Sequence, residues 1–90
     1  MSEGDTNLTS VLETARSGFE QLAGRSIEAV SSVNREETGW VFAFEVVELA
    51  RVPDSTSLLG SYEVRADSDG NVIAYDRVRR YYRNRADEEA

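Results

Sequence analysis

The chain has 90 residues and a mass of 10.0 kDa, which allows one small domain around a single hydrophobic core. Cysteine and histidine are absent, which excludes disulfides and thiolate zinc sites and removes the usual general base near pH 7. The polar start Met1–Asp5 and the lack of a long apolar run predict a cytoplasmic protein that does not enter a membrane. We expect no cofactor, no metal and no catalytic residues.

The basic residues are concentrated near the end of the chain. The net charge is −7, with 17 acidic residues and 10 arginines but no lysine. Residues 1–70 carry 13 acids and 5 arginines, whereas residues 71–90 carry 4 acids and 5 arginines. An acidic body repels phosphate, so this distribution argues against general nucleic-acid binding but not against a local contact.

The first predicted element is an amphipathic helix over residues 7–23. Apolar residues recur at spacings of three and four from Leu8 to Leu22, which is the stripe by which a helix packs on a sheet. Gly24 is a natural helix end. Residues 1–6 have too few apolar side chains to pack, so they predict a disordered N-terminal tail.

The hydrophobic period then changes to two, which predicts strands. The first strand begins at Ser26, and a polar turn over residues 34–39 leads to the strongly apolar second strand, Trp40–Arg51. Trp40, Phe42 and Phe44 share one face, which we expect to be the core face under the helix. The other face carries Val41, Ala43, Val47 and Leu49.

The second half of the sheet is predicted from its turns. A loop over residues 52–59 separates the second strand from a third strand at residues 60–66. Asp69-Gly70 is a hairpin signal, because glycine adopts the positive φ that the turn requires. The last strand runs from Val72 to about Tyr82, and residues 84–90 predict a disordered acidic tail.

These elements predict an α+β fold in a single domain over residues 7–83. One N-terminal amphipathic helix packs on a four-stranded antiparallel meander sheet. Glu45 and Glu48 are three residues apart on a strand and therefore point to opposite faces, which excludes a catalytic carboxylate pair and favours ion pairs with Arg65 or Arg77. The residues to which we assign structural roles are Trp40, Phe42, Phe44, Glu45, Glu48, Tyr62 and Gly70.

The segment from Tyr75 to Arg83 is the candidate binding site, because arginine and tyrosine are enriched in protein interfaces and also stack on bases. This segment has three interpretations: a protein-binding surface, a nucleic-acid contact, and a solvated strand edge whose arginines neutralise the acidic body. If the strand is regular, Tyr75, Arg77, Arg79 and Tyr81 share a face. Its exposed edge could also support a homodimer. The candidate partner-binding residues are Tyr75, Arg77, Arg79, Arg80, Tyr81 and Arg83.

Neutral replacement of Arg77, Arg80 and Arg83 is expected to weaken partner capture and to leave the fold intact. A small-molecule pocket between the helix and the sheet near Trp40 is a further alternative.

An ordered series of short motifs runs from Trp40 to Arg83, over roughly half of the chain. It comprises Trp40, Glu45-Val46-Val47-Glu48, Arg51-x-Pro53, Gly60-x-Tyr62-Glu63-Val64, Asp69-Gly70 and Tyr75-x-Arg77-x-x-Arg80-Tyr81-x-Arg83. In order and spacing this series resembles the gas vesicle synthesis protein family GvpO.

The resemblance implies a non-enzymatic accessory protein that is needed for gas vesicle formation. Such a protein would act as an assembly factor or adaptor through contacts with other gas vesicle proteins, in the cytoplasm or associated with the vesicle. The alternative is a regulator of gas vesicle gene expression that contacts nucleic acid through the last strand, which is rich in arginine and tyrosine.

Overall fold

A computed structural model of the protein describes residues 3–85. One helix is followed by four strands, which form a single antiparallel sheet in the order β1-β2-β3-β4. The predicted α+β fold, a helix on a four-stranded meander, is confirmed. The elements are α1 (Glu3–Ala23), β1 (Ile27–Glu36), β2 (Gly39–Leu49), β3 (Leu58–Asp67) and β4 (Val72–Tyr82), with single 3-10 turns at Asp54–Thr56 and Arg83–Arg85.

The element boundaries differ from the predicted ones mainly at the helix start. Helix α1 begins at Glu3, so residues 3–6 of the predicted tail belong to the helix. Residues 1–2 and residues 86–90 of the predicted C-terminal tail lie outside the described residues. The division of the chain into one domain with two disordered tails stays a prediction.

The core forms between one face of α1 and one face of the sheet. Val11, Ala15 and Phe19 follow one another at the four-residue spacing that places side chains on a common helix face, and all three are buried. The ring of Phe19 meets Phe44 and Tyr62 edge-on, with ring centroids 5.5 and 5.3 Å apart. Trp40, Phe42 and Phe44 are buried on this face of β2.

The ends of the predicted helical stripe are exposed. Leu8 and Leu22 keep 42% and 61% of their surface accessible, because the buried contacts of α1 with the sheet are confined to its middle turns. The backbone N–H of Ile27 donates to the carboxylate of Glu20 at 2.9 Å, which ties the start of β1 to the helix.

The turn between β3 and β4 also lets the helix approach the sheet. Gly70 has a φ of 96°, and the carboxylate of Asp67 accepts the backbone N–H groups of Asp69 and Asn71. A Cβ atom at Gly70 would lie 2.9 Å from the Cα atom of Val11 in α1. Glycine is therefore needed here both for the turn and for the close contact with the helix.

Strands β1 and β2 both contain irregularities of the β-bulge type that interrupt strict alternation. In β1, irregularities between Ile27 and Ala29 and between Val30 and Ser32 break the single alternating face that the sequence predicts. In β2, Val47 pairs with Leu59, but Leu49 pairs with Leu58. Consecutive residues of β3 point to opposite faces, so the predicted common face of Val47 and Leu49 is wrong, and Leu49 lies on the helix side of the sheet.

Truncation of the Phe19 side chain tests this description of the core. Phe19→Ala should lower the free energy of unfolding by about 3–5 kcal/mol, because a fully buried ring is replaced by a cavity. Leu22→Ala on the same helix removes a largely exposed side chain and should change it by less than about 0.5 kcal/mol. Urea unfolding followed by circular dichroism measures the free energy of unfolding of both variants. Equal losses for Phe19→Ala and Leu22→Ala would contradict the placement of Phe19 in the core.

Candidate functional site

Strand β4, which carries the predicted binding residues, is an edge strand of the sheet. It contains a bulge at Val78, because Arg77 pairs with Tyr62 while Arg79 pairs with Ser61. The bulge places the residues before and after it on opposite faces of the sheet. The predicted common face of Tyr75, Arg77, Arg79 and Tyr81 is therefore wrong.

On the helix side, the candidate residues converge on the carboxylate of Glu48, which is 3% exposed. It accepts hydrogen bonds from the Tyr62 hydroxyl at 2.7 Å, from Arg80 Nε at 3.0 Å and from Arg77 Nη1 at 3.3 Å. Arg25 Nη1 donates to the backbone carbonyl of the same residue at 3.2 Å. We call these five residues the Glu48 cluster. The predicted ion pair with Arg77 is present, whereas Arg65 lies near the carboxylates of Glu36 and Glu63.

The close packing of the Glu48 cluster depends on Gly60. A Cβ atom at this position would collide with the Glu48 carboxylate, whose Cδ atom would be only 2.8 Å away. Burial opposes ionisation of Glu48, but the hydrogen bonds from Tyr62, Arg80 and Arg77 outweigh it and hold the pKa of the carboxyl below its usual value. Burial and the neighbouring carboxylate raise the pKa of the Tyr62 hydroxyl.

On the opposite, open face of the sheet, a second carboxylate gathers hydroxyl groups. Glu45 accepts from the Tyr81 hydroxyl and the Ser31 hydroxyl at 2.7 Å, and it also accepts from the Ser61 hydroxyl. The guanidinium of Arg79 stacks over the Tyr81 ring at 4.6 Å. We call these residues the Glu45 cluster. As predicted for Glu45 and Glu48, the two carboxylates point to opposite faces, and they cannot act together on one bond.

The Glu45 cluster perturbs its own ionisable groups. Burial disfavours the charged form of Glu45, but the three hydroxyl donors and the charge of Arg79 hold its pKa below the usual value. Burial, together with the hydrogen bond to this carboxylate, raises the pKa of Tyr81 to about 12. Ser61 and Tyr81 are buried although helix α1 packs on the other face of the sheet.

Arg83 joins the two edges of the sheet. Its Nη1 and Nη2 atoms each lie 2.7 Å from a different carboxylate oxygen of Glu28 in β1, and its Nε atom lies 3.0 Å from Asp54. The hydrogen bond from Arg83 holds the pKa of Glu28 below its usual value. This bidentate contact therefore links the turn that follows β4 to β1, the strand at the other edge of the sheet.

The remaining aromatic candidates are enclosed by neighbours. The Tyr75 ring packs edge-on against Phe19 at 5.2 Å and is part of the core surroundings. The space beside Trp40 is occupied by the Phe42 ring at 6.1 Å and by the guanidinium of Arg35 at 4.8 Å. The small-molecule pocket that the sequence suggested near Trp40 stays a prediction. Between residues 3 and 85, no cluster of acidic side chains is arranged to hold a metal ion.

Sequence reasoning missed the serines that bind Glu45, the carboxylates that bind Arg83, and one exposed apolar row. Leu49, Leu58 and Tyr82 are cross-strand neighbours at the end of the sheet, on the helix side. We call these three residues the exposed row. The alternating pattern of the sequence predicts the opposite face for Leu49. The row becomes visible only from the pairing of β2 with β3 and of β3 with β4. Within residues 3–85, no helix is long and apolar enough to cross a membrane.

Comparison with known proteins gives one consistent result. The family model described as "Gas vesicle synthesis protein GvpO" matches residues 1–87. The chain is 52% identical over 77 residues to gas vesicle protein O of Streptomyces sp. (strain CB03234), covering 86% of this chain and 60% of the relative. It is 31% identical to gas vesicle protein O1 of Halobacterium salinarum, over 98% of this chain and 74% of the relative.

A third relative, gas vesicle protein O of Haloferax mediterranei, is 32% identical over 83% of this chain. The chain spans only 54% of that relative and 60% of the Streptomyces protein. No solved structure matches the chain.

The lowered pKa values predict a specific response to acid. The ordinary carboxyl pKa is 4.5 in the unfolded chain, so the stabilisation from ionised Glu48 is complete above that pH and is lost as the pH falls through the lower folded-state value. Glu48→Gln should therefore be less stable at pH 7 and lose less stability than the wild type between pH 5 and pH 2.

Urea unfolding at several pH values measures this difference. The exposed carboxylate of Glu63, 4.0 Å from Arg65, provides the control Glu63→Gln, which should change stability at pH 7 by less than about 1 kcal/mol. If the free energy of unfolding varied with pH in the same way for Glu48→Gln and the wild type, ionised Glu48 would not be the stabilising group.

The geometry also predicts unequal effects of neighbouring arginines. Arg80→Gln removes a charged donor from a carboxylate that is 3% exposed and should lower the free energy of unfolding by about 1–2 kcal/mol. Arg79→Gln removes no hydrogen bond to the Glu48 carboxylate and should lower it by less. Thermal unfolding of both variants tests this order, and the reverse order would contradict it. The ion pairs of Arg77, Arg80 and Arg83 predict that their neutral replacement also lowers stability, so the expectation that it leaves the fold intact stays a prediction.

Proposed function

The chain belongs to the gas vesicle synthesis protein GvpO family, and from this premise we propose that it is a non-enzymatic accessory protein for gas vesicle formation. It acts as an assembly factor or adaptor, in the cytoplasm or at the vesicle, through contacts with other gas vesicle proteins. The names of its relatives support the gas vesicle context, and the geometry of the last strand supports a mode of action by contact.

One observation supports the adaptor role above the others. The arginine- and tyrosine-rich strand β4 lies at an edge of the sheet, and its side chains are held by carboxylates on both faces. Side chains that are already ordered lose little conformational entropy when a partner binds. A preorganised edge of this kind suits recognition of a protein surface.

The charge arrangement favours a protein partner over nucleic acid. Arg77 and Arg80 share the Glu48 carboxylate, and Arg83 contacts Glu28 and Asp54, so much of the positive charge of β4 is already compensated. The chain as a whole has a net charge of −7. Binding to phosphate would work against this field. Regulation through nucleic acid is therefore the alternative that the experiment must distinguish from binding to a protein.

A capture experiment with the purified chain as bait tests this function. The lysate of a cell that makes gas vesicles is passed over the bait at low and moderate salt, with and without nuclease. We expect gas vesicle proteins to be retained after nuclease treatment, because protein contacts do not depend on nucleic acid. An unrelated acidic protein of similar size and charge is the control bait. Recovery of nuclease-sensitive material alone would contradict the proposal and favour the regulator.

A further inference from the structure

The exposed row continues the core face of the sheet beyond the end of the helix. On the helix side, the buried Val46 pairs with Gly60 of β3. Leu49, which is 48% exposed, pairs with Leu58, the next β3 residue on the same face. Tyr82 at the other end of the row is 44% exposed, and Leu58 between them is partly buried. Helix α1 ends at Ala23 and leaves this apolar row uncovered.

Positive charge surrounds the exposed row. Arg77, Arg80 and Arg25 belong to the adjacent Glu48 cluster, and the guanidinium of Arg51 lies 5.8 Å from the centre of the Tyr82 ring. Arg77 and Arg80 share the single carboxylate of Glu48, and Arg25 bonds the backbone carbonyl of Glu48, so the guanidinium groups beside the row outnumber the one carboxylate that they contact. This local excess occurs in a chain whose net charge is −7, so it is a localised basic site on an acidic protein.

The arginines keep capacity for a further acceptor. Towards Glu48, Arg77 uses Nη1 and Arg80 uses Nε, and their side chains are 43% and 50% exposed. A guanidinium group has five N–H donors, so each of these side chains can bind a second carboxylate without releasing the first. Glu48 therefore orients the arginines and leaves part of each one open to solvent.

We propose that the exposed row and its arginines dock an acidic segment of a partner protein that carries leucine-like apolar side chains. This inference rests on the proposed adaptor function and names the chemistry of its partner. The apolar side chains would pack on Leu49 and Leu58, and the carboxylates would pair with Arg51, Arg77 and Arg80. Apolar contact supplies the affinity, and the charges select the acidic partner.

Two other occupants fit the surface less well. A nucleic-acid backbone would pair with the arginines but would leave Leu49 and Leu58 without apolar contact. In a two-fold contact with a second copy, the same patch meets itself, so arginines would oppose arginines. Both alternatives give distinct results in the experiment below.

The probe is a fluorescent synthetic peptide in which leucines recur at helical spacing and the other positions are glutamate. Fluorescence anisotropy measures its binding to the full chain. Leu49→Ser should weaken binding by at least about tenfold, because a polar hydroxyl replaces an exposed apolar side chain on which the peptide packs. Arg51→Gln should also weaken binding and reduce its dependence on salt. Ile73→Ser is the matched control, because Ile73 is an apolar β4 residue that is 68% exposed at the other end of the strand.

The same assay defines the results that would overturn the proposal. These are equal binding of the peptide by Leu49→Ser and the wild type, no binding of the peptide to the wild type, and equal binding of a peptide with serine in place of leucine. Displacement of the peptide by a single-stranded oligonucleotide, with no effect of Leu49→Ser on oligonucleotide binding, would assign the site to nucleic acid. A dimer in sedimentation that Leu49→Ser abolishes would assign it to self-association.

Capture from lysate separates this inference from the function on which it rests. If the wild type and Leu49→Ser retain the same gas vesicle proteins, the exposed row is not the docking site, although the adaptor function stands. If the wild type retains none, the adaptor function fails whatever the peptide shows. If the wild type retains gas vesicle proteins, and Leu49→Ser loses one that Ile73→Ser keeps, both proposals are supported.

Discussion

The carboxylate of Glu48 is the group on which much of this structure depends, because a buried charge must be paired where it lies. Its side chain is 3% exposed, and the donors to its carboxylate come from β3 and from β4. Glu45, three residues earlier on the same strand, imposes a similar requirement on the open face. The central strand therefore determines where the polar side chains of its neighbours must lie.

This requirement changes the interpretation of the five arginines near the end of the chain. A concentration of positive charge on an acidic protein suggests a binding surface, yet Arg77 and Arg80 are held by Glu48, and Arg83 bridges Glu28 and Asp54. Their first role is to connect strands and sheet edges. What remains for a partner is the outer part of these side chains and the apolar row beside them, where helix α1 no longer covers the sheet. In the proposed docking, structure and recognition use the same residues, so variants at these positions would affect both.

Much of the fold could be predicted from the sequence, because its strongest signals are local. The helical stripe through Phe19, the alternation through Phe42 and Phe44, and the turn at Gly70 each depend on residues close together in the chain. The faces of Leu49 and of Arg79 could not be predicted, since a bulge shifts the alternation by one residue and leaves little trace in the sequence. The candidate site depends on these two shifts and on pairs such as Arg83 with Glu28, which join opposite edges of the sheet.

A double-mutant cycle between Glu48 and Arg80 tests the central claim most directly. The free energies of unfolding of the wild type, Glu48→Gln, Arg80→Gln and the double variant are measured by urea unfolding at pH 7. The account predicts that the double variant loses less stability than the sum of the single variants, with a coupling of about 1 kcal/mol or more in favour of the pair. Additive effects would show that Arg80 does not stabilise the buried carboxylate and would contradict the account.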